Sequence, residues 1–121
     1  MKTRATGQLG EKLAQDFLKG RGYQIVETNY RSPAGEIDIV ASKDGVLVFV
    51  EVRAKSSRTF GTPEESVTPK KKRRLVLVAQ DYVQTHDIQE SSWRIDFIAV
   101  ELDKTGKAVR IEQIEDAVGE E

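Results

Sequence analysis

The chain has 121 residues, of which 32% are charged and 38% are hydrophobic, and its formal net charge is −1 at pH 7. This length, without a linker rich in Pro, Gly or Ser, predicts a single domain over 1–121 that buries its own core, with 1–5 and 116–121 frayed. The absence of cysteine excludes disulfides, thiolate metal sites and cysteine nucleophiles, and it favours a cytoplasmic protein. No segment is apolar for long enough to form a signal-peptide core or a membrane span. The one histidine, His86, is expected on the surface near a helix end, which argues against a histidine-rich metal site.

Charge is distributed unevenly along the chain. Residues 53–74 contain eight basic and two acidic side chains, a local balance of +6, whereas residues 101–121 contain seven acidic and three basic ones, a balance of −4. A basic segment of this kind can bind a polyanion even though the whole chain is not basic.

Two helices are predicted from periodic apolar residues and their caps. The first begins at an N-cap, Thr6, and ends near Lys19. Glu11 lies on the flank of its apolar stripe, where it is either a solvated helix acid or a third carboxylate that reaches the hairpin site described next. The second helix begins at Thr68-Pro69, an N-cap followed by a proline in the first helical position.

Residues 35–55 predict a β-hairpin. Asp44-Gly45 separates two runs of β-branched residues, and these residue types favour the positive φ angles of a tight turn. With that turn, Lys43 pairs with Val46 and the register of the two strands is set. The residues expected on the buried face of the first strand are Ile37, Ile39 and Ala41.

This register places Asp38 directly opposite Glu51 on the same face of the sheet. Two carboxylates about 5 Å apart repel by about 3 kcal/mol at an effective dielectric constant of about 20, whereas a shared divalent cation would favour the arrangement. The alternatives are therefore a metal site and an amphipathic hairpin whose acids face water.

Three further strands are predicted from alternating residues at 23–30, 92–102 and 108–114. Within 92–102, Arg94 and Asp96 are either surface charges, the favoured interpretation, or a structural ion pair beside the site. No repeat, Gly-rich phosphate loop or zinc-binding spacing is present.

A run of basic residues occupies the first turns of the second helix, where the helix dipole disfavours cations. This placement favours two interpretations equally, an external anion such as the DNA backbone or a solvated basic face. Arg58, in the polar segment 56–66, adds a further cation. The predicted nucleic-acid-binding residues are Arg58, Lys70, Lys71, Lys72, Arg73 and Arg74.

The order of helix, three-stranded meander, helix and further strands, with Asp on the second strand and Glu-x-basic on the third, resembles the PD-(D/E)xK nuclease superfamily. The resemblance covers residues 7–114 and implies an α/β, restriction-endonuclease-like core, a mixed sheet of about five strands flanked by two main helices. Within this superfamily the sequence is similar to the bacterial YraN-like family, which is related to archaeal Holliday-junction resolvases. The similar motifs are Gly35-Glu36-Ile37-Asp38, Phe49-Val50-Glu51-Val52-Arg53, Gly7-x-x-Gly10-Glu11 and Val67-Thr68-x-x-Lys71.

The resemblance also implies roles for individual residues. Asp38 and Glu51 would bind Mg²⁺, or Mn²⁺ in its place, and Glu11 would assist from the first helix. Arg53 stands where the superfamily pattern has Lys. Because arginine stays protonated, Arg53 can hold a phosphate but cannot act as a general base. Lys55 lies two residues on, on the same face, and is the second candidate for the catalytic cation.

These inferences predict a Mg²⁺-dependent endonuclease that hydrolyses phosphodiester bonds in duplex or branched DNA, such as a Holliday junction, without a small-molecule cofactor or a membrane partner. The scarcity of aromatic residues argues against platforms for single-strand stacking. Cutting both strands of a branch would need two sites and hence a homodimer. The alternatives are a non-catalytic nucleic-acid-binding module that retains the nuclease fold, which Arg53 favours, and a protein–protein adaptor that docks through the acidic tail and the basic helix.

Overall fold

The computed structural model describes residues 4–56, 61–86, 88 and 92–118. Within them, the chain forms an α/β fold of two helices and five strands, which are α1 (Arg4–Gly20), β1 (Gln24–Ser32), β2 (Gly35–Lys43), β3 (Val46–Lys55), α2 (Pro69–Thr85), β4 (Ser92–Leu102) and β5 (Ala108–Ile114). The strands form one sheet in the order β1-β2-β3-β4-β5, in which β3 and β4 are parallel and the other neighbours are antiparallel. The predicted mixed sheet with two main helices is therefore confirmed.

The β2–β3 hairpin has the predicted turn and register. Asp44 and Gly45 have φ angles of 52° and 78°, and the residues that flank them pair with each other as expected. The pairing continues in this register as far as Ile39 and Val50, where it ends. Local turn chemistry thus determines which residues of the two strands lie opposite each other.

The two helices cover opposite faces of the sheet. On one face α1 packs directly on β3 at Gly10, where an added Cβ would lie 2.5 Å from the Cβ of Ala54. On the other face α2 packs Tyr82 against Phe49, with ring centroids 5.4 Å apart. His86 follows α2 and is exposed, as predicted. Within the described residues, neither helix is long and apolar enough to cross a membrane.

Two predicted element boundaries were wrong. Helix α1 begins at Arg4, so Thr6 lies inside it and is not its cap; packing of the apolar face stabilises such a helix more than its cap does. Strand β1 covers 24–32 and not 23–30. Of the segment 116–121 that was predicted to fray, residues 119–121 lie outside the described residues, and the backbone N of Ala117 donates to the carbonyl of Ile95 on β4 at 2.8 Å.

Asp96 is buried, so its interpretation as a surface charge was wrong. None of its surface is exposed. Its carboxylate accepts hydrogen bonds from Arg94 Nε at 2.9 Å, from Gln113 Nε2 at 2.8 Å and from the backbone N of Asp116 at 3.0 Å. In the β3–β4 register it lies beside Val50, on the α1 side of the sheet. The network joins β4, β5 and the segment after β5.

Ile37 was also placed on the wrong face by strict alternation. It packs with Phe49 on the α2 side, whereas Ile39 and Ala41 pack on the α1 side. The alternation breaks at Asp38, the residue before β2 begins to pair with β3 at Ile39. Residues 35–37 pair with β1, so the change of face falls where β2 is hydrogen-bonded to a neighbouring strand on one side only.

Candidate functional site

Two acidic side chains converge at the point where β2 and β3 stop pairing. The last residue pair between the two strands is Ile39 with Val50. Asp38 is the neighbour of Ile39 on β2, and Glu51 is the neighbour of Val50 on β3. Both are buried, with 7% and 5% of their surface exposed. Asp38 Oδ2 accepts a hydrogen bond from the backbone N of Val52 at 2.8 Å. The side chain thus takes the place of a main-chain acceptor, and this bond holds the Asp38 carboxylate beside Glu51.

The two carboxyl groups interact directly. The pKa of Glu51 is raised from 4.5 to about 7, first by burial and then by the negative charge of Asp38, and a hydrogen bond between the two groups adds to the rise. The positive charges of Lys71 and Arg53 lower this pKa without cancelling the rise. A buried pair of acids that retains a proton near neutral pH is a place where a divalent cation can replace that proton.

Arg53 approaches Glu51 from the same strand. Its Nε lies 3.1 Å from Glu51 Oε2, and its side chain is 24% exposed. Although this distance is short, the buried Nε has no hydrogen-bond partner among the described residues, so the contact is an ion pair only. A buried donor without an acceptor costs about 1–3 kcal/mol. The site therefore presents an N–H group that an added anionic oxygen would satisfy.

Lys71 approaches the same carboxylate from α2. Its Nζ lies 3.9 Å from Glu51 Oε2, and its side chain is 33% exposed. The predicted cap sets this position, because Thr68 Oγ1 accepts a hydrogen bond from the backbone N of Lys71 at 3.1 Å and Pro69 is the first residue of the helix. The sequence places Lys71 among the phosphate-binding residues and in the Val67-Thr68-x-x-Lys71 pattern of the family resemblance. Its approach to Glu51 depends on how α2 packs on the sheet and has no local sequence signal beyond the cap.

The segment that leads into α2 is anchored to the sheet by Arg110. This segment contains one turn of 3₁₀ helix, Glu64–Ser66. Arg110 on β5 donates to Glu64 at 2.7 and 3.1 Å and to Glu101 on β4 at 2.6 Å. The hydrogen bonds from Arg110 lower the pKa of Glu64 to about 2. Sequence reasoning missed this cluster, because Arg110 and Glu64 are 46 residues apart in the chain.

Two further predicted site residues, Lys55 and Glu11, lie on β3 and α1. Lys55 ends β3, and its charge contributes to the lowered pKa of Glu65, which hydrogen bonds from Thr62 lower more strongly. Glu11 is partly buried on α1, the helix that covers the opposite face from α2. In the part of the chain that the structure describes, no three His, Cys, Asp or Glu side chains are gathered to hold a metal ion. A role for Glu11 as third ligand therefore stays a prediction.

The predicted nucleic-acid-binding residues fall into three groups. Lys70, Arg73 and Arg74 are exposed on α2, whereas Lys72, like Lys71, is partly buried. Arg58 lies outside the described residues. Lys71 approaches the carboxylate pair, and the exposed members are accessible to a large anionic partner.

Comparison with known proteins identifies related sequences. The sequence model of the uncharacterised protein family UPF0102 matches residues 10–100. A UPF0102 protein of Dehalococcoides mccartyi is 49% identical over 116 residues, which cover 96% of this chain and 94% of that protein. A UPF0102 protein of Moorella thermoacetica is 45% identical over 117 residues, which cover 97% of this chain and 98% of that protein. The solved structure of Pyrococcus furiosus SfsA in complex with Ca²⁺ matches 97% of this chain and 65% of that chain with a TM-score of 0.43 and 13% identity, which is too low to support a functional argument.

Proposed function

The chain belongs to the uncharacterised protein family UPF0102, and we propose that it is a metal-dependent nuclease of the PD-(D/E)xK type. Its proposed reaction is the hydrolysis of phosphodiester bonds in DNA, with branched DNA as the preferred class of substrate. The family match confirms the resemblance to the YraN-like family. The nuclease assignment rests on the site alone.

The observation that carries the proposal is the burial of Asp38 and Glu51 side by side, next to an arginine with an unsatisfied donor. Two close carboxylates suit a hard divalent cation, and Mg²⁺ is commonly held by one or two carboxylates while it keeps several waters. The buried Nε of Arg53, which has no hydrogen-bond partner among the described residues, suits an anion that arrives beside that cation. The residues present therefore fit both a metal ion and a phosphate.

Each residue of the pair and its neighbours has a distinct role in the proposed hydrolysis. The oxygen of a water molecule bonds to phosphorus and one P–O ester bond breaks; the attacking water loses one proton to solvent, and the departing sugar oxygen gains one proton from solvent. When bound, Mg²⁺ supplies polarisation of the phosphate and activation of the water. Asp38, fixed by the N–H of Val52, and Glu51 would hold the ion. Arg53 stays protonated, so it would bind a phosphate oxygen and stabilise developing negative charge without accepting a proton.

The exposed cations on α2 would bind phosphates on either side of the scissile bond. Each such contact releases counterions from DNA, so the logarithm of the affinity is expected to fall linearly with the logarithm of the salt concentration. Two copies of the chain would be needed to cut both strands of a branch, which makes a homodimer the proposed active form.

A cleavage assay on duplex, single-stranded and four-way-junction DNA tests the proposal in Mg²⁺, Mn²⁺ and EDTA. Asp38→Asn and Glu51→Gln keep the shape of each side chain and remove one ligand charge. Both are expected to abolish metal-dependent cleavage and to retain DNA binding. Asp16→Asn, which removes an exposed acid on α1, is expected to cleave like the wild type. Cleavage by Glu51→Gln at the wild-type rate would reject the assignment.

A second candidate function is a DNA-binding module that retains the fold without the chemistry. The observation in its favour is Arg53, because an arginine cannot serve as a general base. The described residues also hold a pair of carboxylates rather than a larger acidic group. This module would bind branched DNA equally well in EDTA and in Mg²⁺. It would leave every substrate intact in both metals.

A further inference from the structure

Lys71 differs from the three exposed residues in the basic run of α2. Lys70, Arg73 and Arg74 are exposed, whereas the side chain of Lys71 is 33% exposed and its Nζ lies 3.9 Å from Glu51 Oε2. One member of the run is therefore directed at the carboxylate pair while three others face outwards. A uniform row of peripheral phosphate contacts would not have this arrangement.

The position of Lys71 is fixed from two directions. The Thr68 cap determines where α2 begins, so that Lys71 is its third residue. The ion pairs of Arg110 with Glu64 and Glu101 hold the preceding turn against β4 and β5. The backbone of Lys71 is thus anchored relative to the sheet, whereas its four-carbon side chain keeps its own freedom.

The contact between Lys71 and Glu51 is loose. A separation of 3.9 Å is longer than the charge-assisted hydrogen bonds of about 2.7–2.9 Å that ammonium groups form with carboxylates. The ammonium group is a compact charge with three rotatable donors. It can turn from Glu51 to an anion in the same site without a change in the backbone.

We propose that Lys71 contacts the substrate phosphate at the reaction centre, as a point charge supplied by α2 that complements the planar fork of Arg53 from β3. This inference rests on the proposed function and extends it. Arg53 and Lys71 approach the same carboxylate oxygen, Glu51 Oε2, from the sheet and from the helix. A phosphate beside Glu51 therefore meets both cations, and the outward-facing residues of the run bind flanking phosphates instead.

The test compares Lys71→Ala with Lys70→Ala, which removes the same charge from the adjacent, exposed position. Lys104→Ala removes an exposed lysine in the turn between β4 and β5 and serves as the control outside the site. Three quantities are measured: affinity for a four-way-junction DNA in Ca²⁺ and in EDTA, the cleavage rate at saturating DNA in Mg²⁺, and the affinity of the DNA-free protein for Ca²⁺. Melting temperatures establish that each variant is folded, and Lys71→Arg tests whether charge alone restores function.

For Lys71→Ala we expect a loss of about 100-fold in the cleavage rate at saturation, as for other single groups that stabilise a transition-state charge. The gain in DNA affinity from Ca²⁺ should also be lost. The DNA-free variant should bind Ca²⁺ more tightly than the wild type, because a positive charge beside Glu51 has been removed. Lys70→Ala should weaken DNA binding in Ca²⁺ and in EDTA alike, and Lys104→Ala should match the wild type. Lys71→Arg should recover part of the rate.

Equal effects of Lys71→Ala and Lys70→Ala on all three quantities would overturn the inference and leave the proposed function standing. A wild-type protein that binds DNA but never cuts it would refute the proposed hydrolysis. In that case the contact of Lys71 with the phosphate would stand if Lys71→Ala loses the gain in DNA affinity from Ca²⁺, and it would be refuted if Lys71→Ala keeps that gain. A wild-type protein that neither binds nor cuts DNA would overturn both.

Discussion

Glu51→Gln tests whether the two carboxyl groups are buried side by side. In the folded chain the pKa of Glu51 is raised from 4.5 to about 7 by burial and by Asp38. The folded state therefore holds this proton more tightly than the unfolded chain does, and unfolding releases it between these two pH values. Stability must fall as the pH rises through this window, by about 3 kcal/mol if the whole rise is realised. The glutamine variant keeps the shape of the side chain and has no proton to lose.

Urea denaturation of both proteins from about pH 5 to about pH 8.5, in EDTA, measures this difference. The free energy of unfolding of the wild type should decline relative to that of Glu51→Gln and level off above about pH 7. Mg²⁺ at a hundred times its Kd should restore about 2.7 kcal/mol to the wild type at high pH and nothing to the variant. Asp16→Asn should show the wild-type pH dependence. A constant difference between wild type and Glu51→Gln across this range would mean that the carboxyl group is not buried against Asp38.

Three further predictions concern the scaffold and are checked by denaturant titration. Gly10→Ala should lower the free energy of unfolding by about 1–3 kcal/mol through overpacking, since the new Cβ meets Ala54 at 2.5 Å, whereas Gly20→Ala should not destabilise, since nothing lies within 4 Å of its Cβ. Asp96→Asn should lower the free energy of unfolding by about 3 kcal/mol. The reason is that the NH₂ group of the new amide would face N–H groups that now donate hydrogen bonds to the Asp96 carboxylate. Arg110→Met should lower the free energy of unfolding by about 3 kcal/mol at pH 7. The difference in stability between this variant and the wild type should shrink as the pH falls from 4.5 towards 2, because Arg110 lowers the pKa of Glu64 to about 2.

The parts of the fold that were predicted correctly are those whose information is local. Asp44-Gly45 fixes a turn through backbone preference, and the turn fixes the register of two strands. Thr68 and Pro69 fix the start of α2 in the same way, and the observed bond from the N–H of Lys71 to Thr68 Oγ1 confirms it. In each case a few neighbouring residues carry the signal, so one sequence is enough to read it.

The parts that were missed depend on contacts between distant segments. Asp96 reads as an exposed acid on an alternating strand, and its hydrogen bonds come from Arg94 on the same strand, from β5 and from the segment after β5. Lys71 reads as one lysine among several, and its approach to Glu51 follows from the packing of α2 on the sheet. Ile37 was assigned to the wrong face because strict alternation assumes that pairing between β2 and β3 extends to this residue, whereas that pairing stops at Ile39.

The end of that pairing determines how variants of Asp38 must be read. Asp38 Oδ2 is the acceptor for the buried N–H of Val52, so the side chain both supplies a ligand charge and replaces a missing strand partner. Asp38→Ala removes both functions and should cost about 1–3 kcal/mol more in stability than Asp38→Asn, whose amide oxygen still accepts the bond. Loss of cleavage in Asp38→Ala alone would therefore not separate metal binding from folding. Loss of Mg²⁺-dependent cleavage and of Mg²⁺-dependent stabilisation in Asp38→Asn, at wild-type stability in EDTA, assigns the carboxylate to the metal. An Asp38→Asn variant that Mg²⁺ stabilises as much as it does the wild type would show instead that Asp38 acts only as a structural acceptor.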